Sequence, residues 1–314
     1  MKIKIYITKK FMLILSIILL LVAGVTAYFY DSKELRYDNT NASILASTTD
    51  EQITSDYLYS REVIYKLTIE NPNFHNSIFR GKDVTEYMTS EYSLYDRIAD
   101  GTFTDLYVGD YVVANEIIWR IAGFDIYYGK GEVSNDTNQA GYNHHAVIVP
   151  DTNLIFDKMN TSNITSGGYV GSYMYNTVLP LVLSTYITPV FGNHVLTYYT
   201  RLTQSVNTSA YNRYGTNTGA TNNRWALVSR KIDLMNENQV FGSVIWSSSG
   251  YEVGTDNVQF PLFRLKSEFI DNQQSSYWLR TIVKSTQFAS VEHSYSNTKD
   301  ASNLAGVRPY SYIG

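Results

Sequence analysis

Three carboxylates lie inside apolar or aromatic stretches of the chain, Asp110 in LYVGDYV, Asp125 in IAGFDIY and Asp233 in KIDLM, and a fourth, Glu237, lies in the polar NENQV. Set in pairs across a cleft, such groups perform general acid–base hydrolysis; set singly, they neutralise a buried cation. The first arrangement is fixed by space and not by sequence spacing, so an exported carboxylate-based hydrolase stands as an alternative. The second suits Arg120, Arg280 and Arg308, whose guanidinium groups need a carboxylate or several carbonyls once buried. Structural pairing with these arginines is the preferred reading of all four.

The histidines are His75, His144, His145, His194 and His293, and His144-His145 is their one adjacent pair. Neighbours on a strand point to opposite faces, so this pair reads as one packed ring and one exposed ring, not as two ligands of one ion. No HExxH, EF-hand loop, GxSxG elbow or Walker A motif occurs, and Gly129-Lys130-Gly131 lacks the third glycine of a dinucleotide loop. The chain has no cysteine, which excludes disulfides, thiolate nucleophiles and cysteine-bearing zinc sites. No metal, no cofactor and no enzymatic activity are therefore expected.

The closing stretch, 277–314, has two stiff ends, YWLR and GVRP, around a polar middle. Trp278, Arg280, Arg308 and Pro309, together with Trp119 upstream, are read as a structural frame. Lys284 to Gln287 turn the chain. Alternation along 288–295 points Phe288, Ser290, Glu292 and Ser294 to one side and Ala289, Val291, His293 and Tyr295 to the other. Residues 297–303 read as a polar return. The candidate ligand-binding residues are Lys284, Gln287, Glu292, His293, Tyr295 and Asn297; a solvated sheet edge is the competing reading. Trp246, ahead of Ser247-Ser248-Ser249-Gly250, is the tryptophan expected to be part-exposed.

These residues need elements to hold them. Apolar spacing over 57–70 suits a short helix, and that over 83–98 predicts a longer one, with Asp83 as N-cap and Glu86 as its capping-box partner. Residues 107–121 read as two strands about a turn near Ala114-Asn115, and 145–149 as a strand stopped by Pro150. A helix over 173–186 should end or kink at Pro180. Residues 207–223 form a long polar insertion. A helix over 236–241 is capped by Asn236 and closed by Gly242. Strands are expected at 225–228, 244–246, 260–265, 277–283, 288–293 and 307–313. Few helices in front and many short strands behind indicate an α+β fold.

The 314 residues are 44% hydrophobic and carry a formal net charge of −4, enough for one large domain or two small ones and the wrong sign for a nucleic-acid partner. The 28 tyrosines suit a binding surface, and equally a base-composition bias of the coding sequence. Residues 11–29, FMLILSIILLLVAGVTAYF, are uncharged and follow Lys2, Lys4, Lys9 and Lys10. Such a run is long enough for most of a ~30 Å hydrocarbon core, with the lysines inside. The expectation is a tip and transmembrane anchor over 1–30, a polar stalk over 31–56 and an exported domain over 57–314. Secretion after cleavage near Ala27 is the alternative.

Several stretches taken in order resemble a family of uncharacterised bacterial surface and prophage-associated domains. They include HNSIFRGKDVTEY (75–87), GTFTDLYVGDYV (101–112), IIWRIAGFDIY (117–127), HHAVIVPDTNL (144–154) and MNTSNITSGGYVGSYMY (159–175). DLMNENQVFG (233–242), WSSSGY (246–251), QFPLFRL (259–265) and the closing WLR…GVRPY (278–310) continue the series. The last also looks like the end of C-type-lectin-like domains, among them retroelement variable proteins and formylglycine-generating enzymes. The resemblance implies a C-type-lectin-like α+β domain whose Trp and Arg lie inside while intervening side chains form a ligand surface. It implies no activity. The absence of cysteine departs from the oxidase branch, and the absence of Glu-Pro-Asn, Gln-Pro-Asp and Trp-Asn-Asp departs from calcium-dependent lectins. The functional expectation is an outward-facing, membrane-anchored binding or adhesion module for an extracellular protein or glycan. A structural subunit of a phage-derived or surface assembly is a further alternative.

Overall fold

Short strands dominate because β-branched and aromatic residues recur in runs of three to eight between turn residues. The computed structural model describes residues 72–130, 138–204, 225–246, 258–272 and 275–314. The readings on 1–30, 31–56, 57–70 and 207–223 lie outside them. Among the described residues no helix is long and apolar enough to cross a membrane.

The fold is α+β. One five-stranded sheet has the order β1-β2-β3-β12-β7, from Tyr111–Ala114, Ile117–Phe124, Ala146–Pro150, Pro309–Ile313 and Asp233–Leu234. A second has the order β10-β9-β8-β11-β4, from Tyr295–Asp300, Gln287–Glu292, Tyr277–Lys284, Ala305–Val307 and Ile155–Asp157. The pairs are antiparallel except β11 with β8. Strands β5 (Tyr198–Thr203) and β6 (Trp225–Arg230) form a separate ribbon. Arg308 alone separates β11 from β12, so the chain changes sheets at that residue.

Local signals explain several elements. The β1–β2 turn falls at Asn115 and Glu116, both with positive φ (53° and 63°), as a two-residue hairpin of matching twist requires. Helix Glu237–Phe241 has the expected reciprocal cap from Asn236 and ends on left-handed Gly242. Strand β2 carries a bulge between Ile121 and Gly123. A Cβ at Gly123 would lie 2.7 Å from Pro261 Cδ, so only glycine lets the helix Pro261–Leu265 rest on this strand.

Elsewhere the structure corrects the sequence reading. Residues 83–98 are not one helix: a 3-10 turn, Thr85–Met88, and a helix, Leu94–Ala99, replace it. The Asp83 carboxylate accepts from Thr85 instead of capping with Glu86, while Ser93 and Asp96 form the capping box of the second piece. Ser90 bonds the carbonyls of Tyr87 and Tyr92, the local competition that breaks helices at serine. Residues 174–191 stay helical through both Pro180 and Pro189. A wide i→i+5 turn precedes each proline turn, at Met174–Val178 and Leu183–Ile187, which moves the upstream carbonyls off the proline rings. The strand expected over 260–265 is replaced by the helix Pro261–Leu265, since Pro261 presets the first helical φ. Residues 244–246 form no strand, because the Ile245 and Trp246 amides donate to Glu237. Residues 295–300 are strand β10, not a return loop.

Candidate functional site

The frame residues are buried, and one of them, Arg280, joins the two sheets. Arg280 of β8 donates to Asp233 of β7 (3.1 Å) and to the Tyr310 hydroxyl of β12 (3.3 Å). Asp233 also accepts from Tyr169 (2.5 Å) and from the Leu234 amide (2.9 Å). Arg308 takes carbonyls in place of a carboxylate: Pro150 at 2.8 Å and Phe269 at 2.8 Å, with its guanidinium over the Tyr277 ring. Trp278 donates to the Asp157 carbonyl at 2.8 Å, Trp119 packs edge-on to Phe191, and buried Pro309 opens β12 opposite Leu234.

The other carboxylates do not serve the arginines named for them. Asp110 pairs with Arg80, and it also accepts from the Lys82 and Tyr107 amides. Arg120 takes Asp151 and the Gly109 carbonyl. Asp125 takes His144. Glu237, fully buried, accepts from the Ile245 and Trp246 amides and from Ser296 (2.9 Å). Asp110, Asp125 and Glu237 are thus each held by a different set of neighbours.

The six candidate ligand residues divide into two groups. Register pairs Lys284 with Gln287 at one end of β9, where the Gln287 amide donates to Asp300 (2.7 Å). Six residues away, about 20 Å at strand rise, the β9–β10 hairpin turns on His293 and Ser294, both with positive φ (48° and 65°). That turn ends the expected alternation. Tyr295 pairs with Glu292, so the two share a face instead of opposing one another, and Asn297 joins them by donating to Glu292 at 2.7 Å. Tyr295 is 76% exposed, whereas Phe288 and Ser290 on the same face of β9 are buried. Glu292, His293, Tyr295 and Asn297 thus form the tip of a hairpin whose root lies in the core.

A second concentration of polar side chains went unread in the sequence. Asp125, just after β2, and His144, just before β3, meet because their strands are antiparallel neighbours. Asp125 Oδ2 lies 2.7 Å from His144 Nδ1, and Oδ1 accepts the His145 amide at 3.0 Å. The His144 ring lies between Tyr128, stacked at 4.3 Å and 13°, and Gly101. Gly101 has φ of 73°, and a Cβ there would come within 2.5 Å of His144 Nε2. The edge of this slot opens into a cavity of about 220 Å³ whose other walls include Asn138, Tyr142, Asn143 and Leu196. His145 turns the other way and is wholly buried. Asp125 and His144 lie 19 residues apart, and no local pattern links them.

Among the described residues no group of three or more histidine or carboxylate side chains is placed to hold a metal ion. No family model, no curated protein and no solved structure matches this chain.

Proposed function

We propose that the chain is an outward-facing, membrane-anchored binding module, a C-type-lectin-like domain that takes a surface protein or glycan at the tip of the β9–β10 hairpin. The observation that carries this reading is Tyr295, 76% exposed on a hairpin whose other side is tied to buried Glu237 through Ser296. A large, rigid aromatic held out beside Glu292, His293 and Asn297 offers contact area at low entropic cost, because the support is ordered before the ligand arrives. The turn supports the same reading. A hairpin built for stability alone favours Asn-Gly at two positive-φ positions, and His293-Ser294 accepts strain to place an imidazole there. Placement of β12 inside its sheet, between β3 and β7, and burial of Trp278, Arg280 and Arg308 favour the lectin-like part of the reading. The apolar run 11–29 behind four lysines favours the anchor.

The test is a glycan and protein array probed with the full chain, followed by Tyr295→Ala, His293→Ala and Glu292→Ala. Each variant should lose the binding that the parent shows while its melting temperature stays nearly unchanged. Binding that survives all three variants places the ligand elsewhere. Silence on the array with self-association in solution favours the structural-subunit alternative.

A further inference from the structure

We infer that the Arg230 guanidinium, on the β5–β6 ribbon and not at the hairpin tip, is a second binding site, and that it takes the carboxylate of a small, singly charged acid. Three features lead there. The first is an unfilled fork. Other arginines of the domain use Nε and Nη2, the two donors on one edge of the guanidinium, to grip a carboxylate side-on: Arg80 holds Asp110 this way and Arg120 holds Asp151. In Arg230 the same two nitrogens are buried, and among the described residues no hydrogen-bond partner reaches either. Buried donors without an acceptor are costly, and the acceptor that fits two parallel N–H groups is a carboxylate.

The second feature is charge. The acid whose field Arg230 feels is Asp233, and both oxygens of Asp233 are already engaged, Oδ2 by Arg280 and Oδ1 by the Tyr169 hydroxyl and the Leu234 amide. Two cations thus share one buried carboxylate. The phenols of Tyr169, Tyr175 and Tyr198 beside Arg230 stay neutral, because burial raises the pKa of each. One further negative charge balances the cluster; a phosphate dianion overshoots it, and a cation is repelled. The third feature is preorganisation. The Tyr175 ring lies against the guanidinium, with Cζ 3.7 Å from its centroid, which fixes the plane of the fork before a ligand arrives. Tyr175 is itself set on the wide turn Met174–Val178, where its amide donates to the Ser172 hydroxyl at 3.1 Å. Arg230 is half-buried at the last position of β6, between exposed Ser229 and Lys231. The fork therefore lies just beneath the surface and opens on a local movement of the strand end.

The test is thermal unfolding of the full chain, at constant ionic strength, with acetate, glucuronate, N-acetylglycine, glucose or inorganic phosphate. Proton–nitrogen NMR of the Arg230 Nε–H group, assigned by its loss in Arg230→Lys, runs beside it. Acetate should raise the melting temperature and move that signal downfield, saturating at millimolar concentration. Glucuronate or N-acetylglycine that binds more tightly than acetate shows whether the carboxylate arrives on a sugar or at a peptide end. Glucose should change neither readout. Arg230→Lys keeps the charge and lacks the fork, so it should weaken acetate by about tenfold. Lys231→Ala and Tyr295→Ala should leave binding unchanged. Arg230→Met, measured without ligand, should melt no lower than the parent, because it removes a cation that has no carboxylate of its own. No effect from any of the three acids overturns the assignment, as does acetate binding undiminished in Arg230→Lys. A melting temperature of Arg230→Met far below the parent's shows that the fold itself balances the charge, and overturns it too. Binding of phosphate in place of the acids overturns the ligand class.

Discussion

Arg280 and Asp233 form a fully buried ion pair that joins the two five-stranded sheets, 3.1 Å from Nη1 to Oδ2. Removing one partner leaves the other charge stranded in the core, so Asp233→Leu should destabilise the domain by about 3–5 kcal/mol. The double variant Asp233→Leu/Arg280→Met should recover a large part of that loss, because an apolar pair of similar volume carries no desolvation cost. Urea unfolding of the parent, both single variants and the double variant closes the cycle. Additive effects would show that the pair does not act as a unit.

The hairpin tip carries strain that can be relieved. Ser294 holds a φ of 65°, a region that glycine adopts freely and serine does not. Ser294→Gly should raise stability by about 0.5–1 kcal/mol, read as a shifted denaturation midpoint at unchanged slope. If the tip binds through His293 and Tyr295, the same variant should weaken binding by loosening their presentation. A gain in both stability and affinity would argue that the tip geometry is incidental.

Glu237 holds the underside of the same hairpin. Its carboxylate collects the Ile245 and Trp246 amides and the Ser296 hydroxyl. Glu237→Ala removes an acceptor from three donors at once, and buried donors without partners cost about 1–3 kcal/mol each unless water reaches them. The expected result is faster amide exchange at Ile245, Trp246 and along β10, with β2 and β3 protected as before. Uniform loss of protection across the domain would mean that Glu237 supports the global fold and not the hairpin.

Much of this arrangement was legible where the signal is local. The Asn115-Glu116 turn, the Asn236–Gly242 helix and the strand from Tyr277 each follow from a few consecutive residues. The burial of Arg280 and Arg308 followed from their setting among aromatic and aliphatic neighbours. Strand β10, YSNTKD, was hidden by its polarity: it lies at the sheet edge, where most side chains meet water and no apolar alternation is needed. The Pro261 helix was hidden by an apolar run that suits a strand and a short buried helix equally. The Asp125–His144 pair was hidden for another reason. Sheet register brings the two together, and register across a loop leaves no mark in the spacing of the residues it unites.

His145 predicts how the fold responds to acid. Its Nδ1 faces the Asn143 carbonyl at 3.0 Å, and its Nε2 accepts the Tyr127 amide at 3.0 Å. A carbonyl only accepts and an amide N–H only donates, so the structure requires the neutral ring with its proton on Nδ1. Protonation would set a second N–H against that of Tyr127. Burial, opposed in part by the Asn143 carbonyl and by Asp125, pushes the His145 pKa down from 6.5 to about 4. Burial lowers His75 as well, among Phe103, Tyr107 and Phe124. With the folded value below the unfolded one, the unfolded chain binds more protons at acid pH. Stability is therefore whole above about pH 6.5 and falls as pH drops toward 4. His145 alone should account for a loss of about 2 kcal/mol between pH 7 and pH 5, and His75 adds to it. Asp110, raised by burial, works in the opposite direction, because the folded state takes up its proton first. Urea midpoints measured across this range should fall toward pH 5, and His145→Gln should flatten the curve whatever its stability at pH 7. An equally steep curve in that variant would transfer the effect to His75 and disprove the role assigned to the Tyr127–His145 bond.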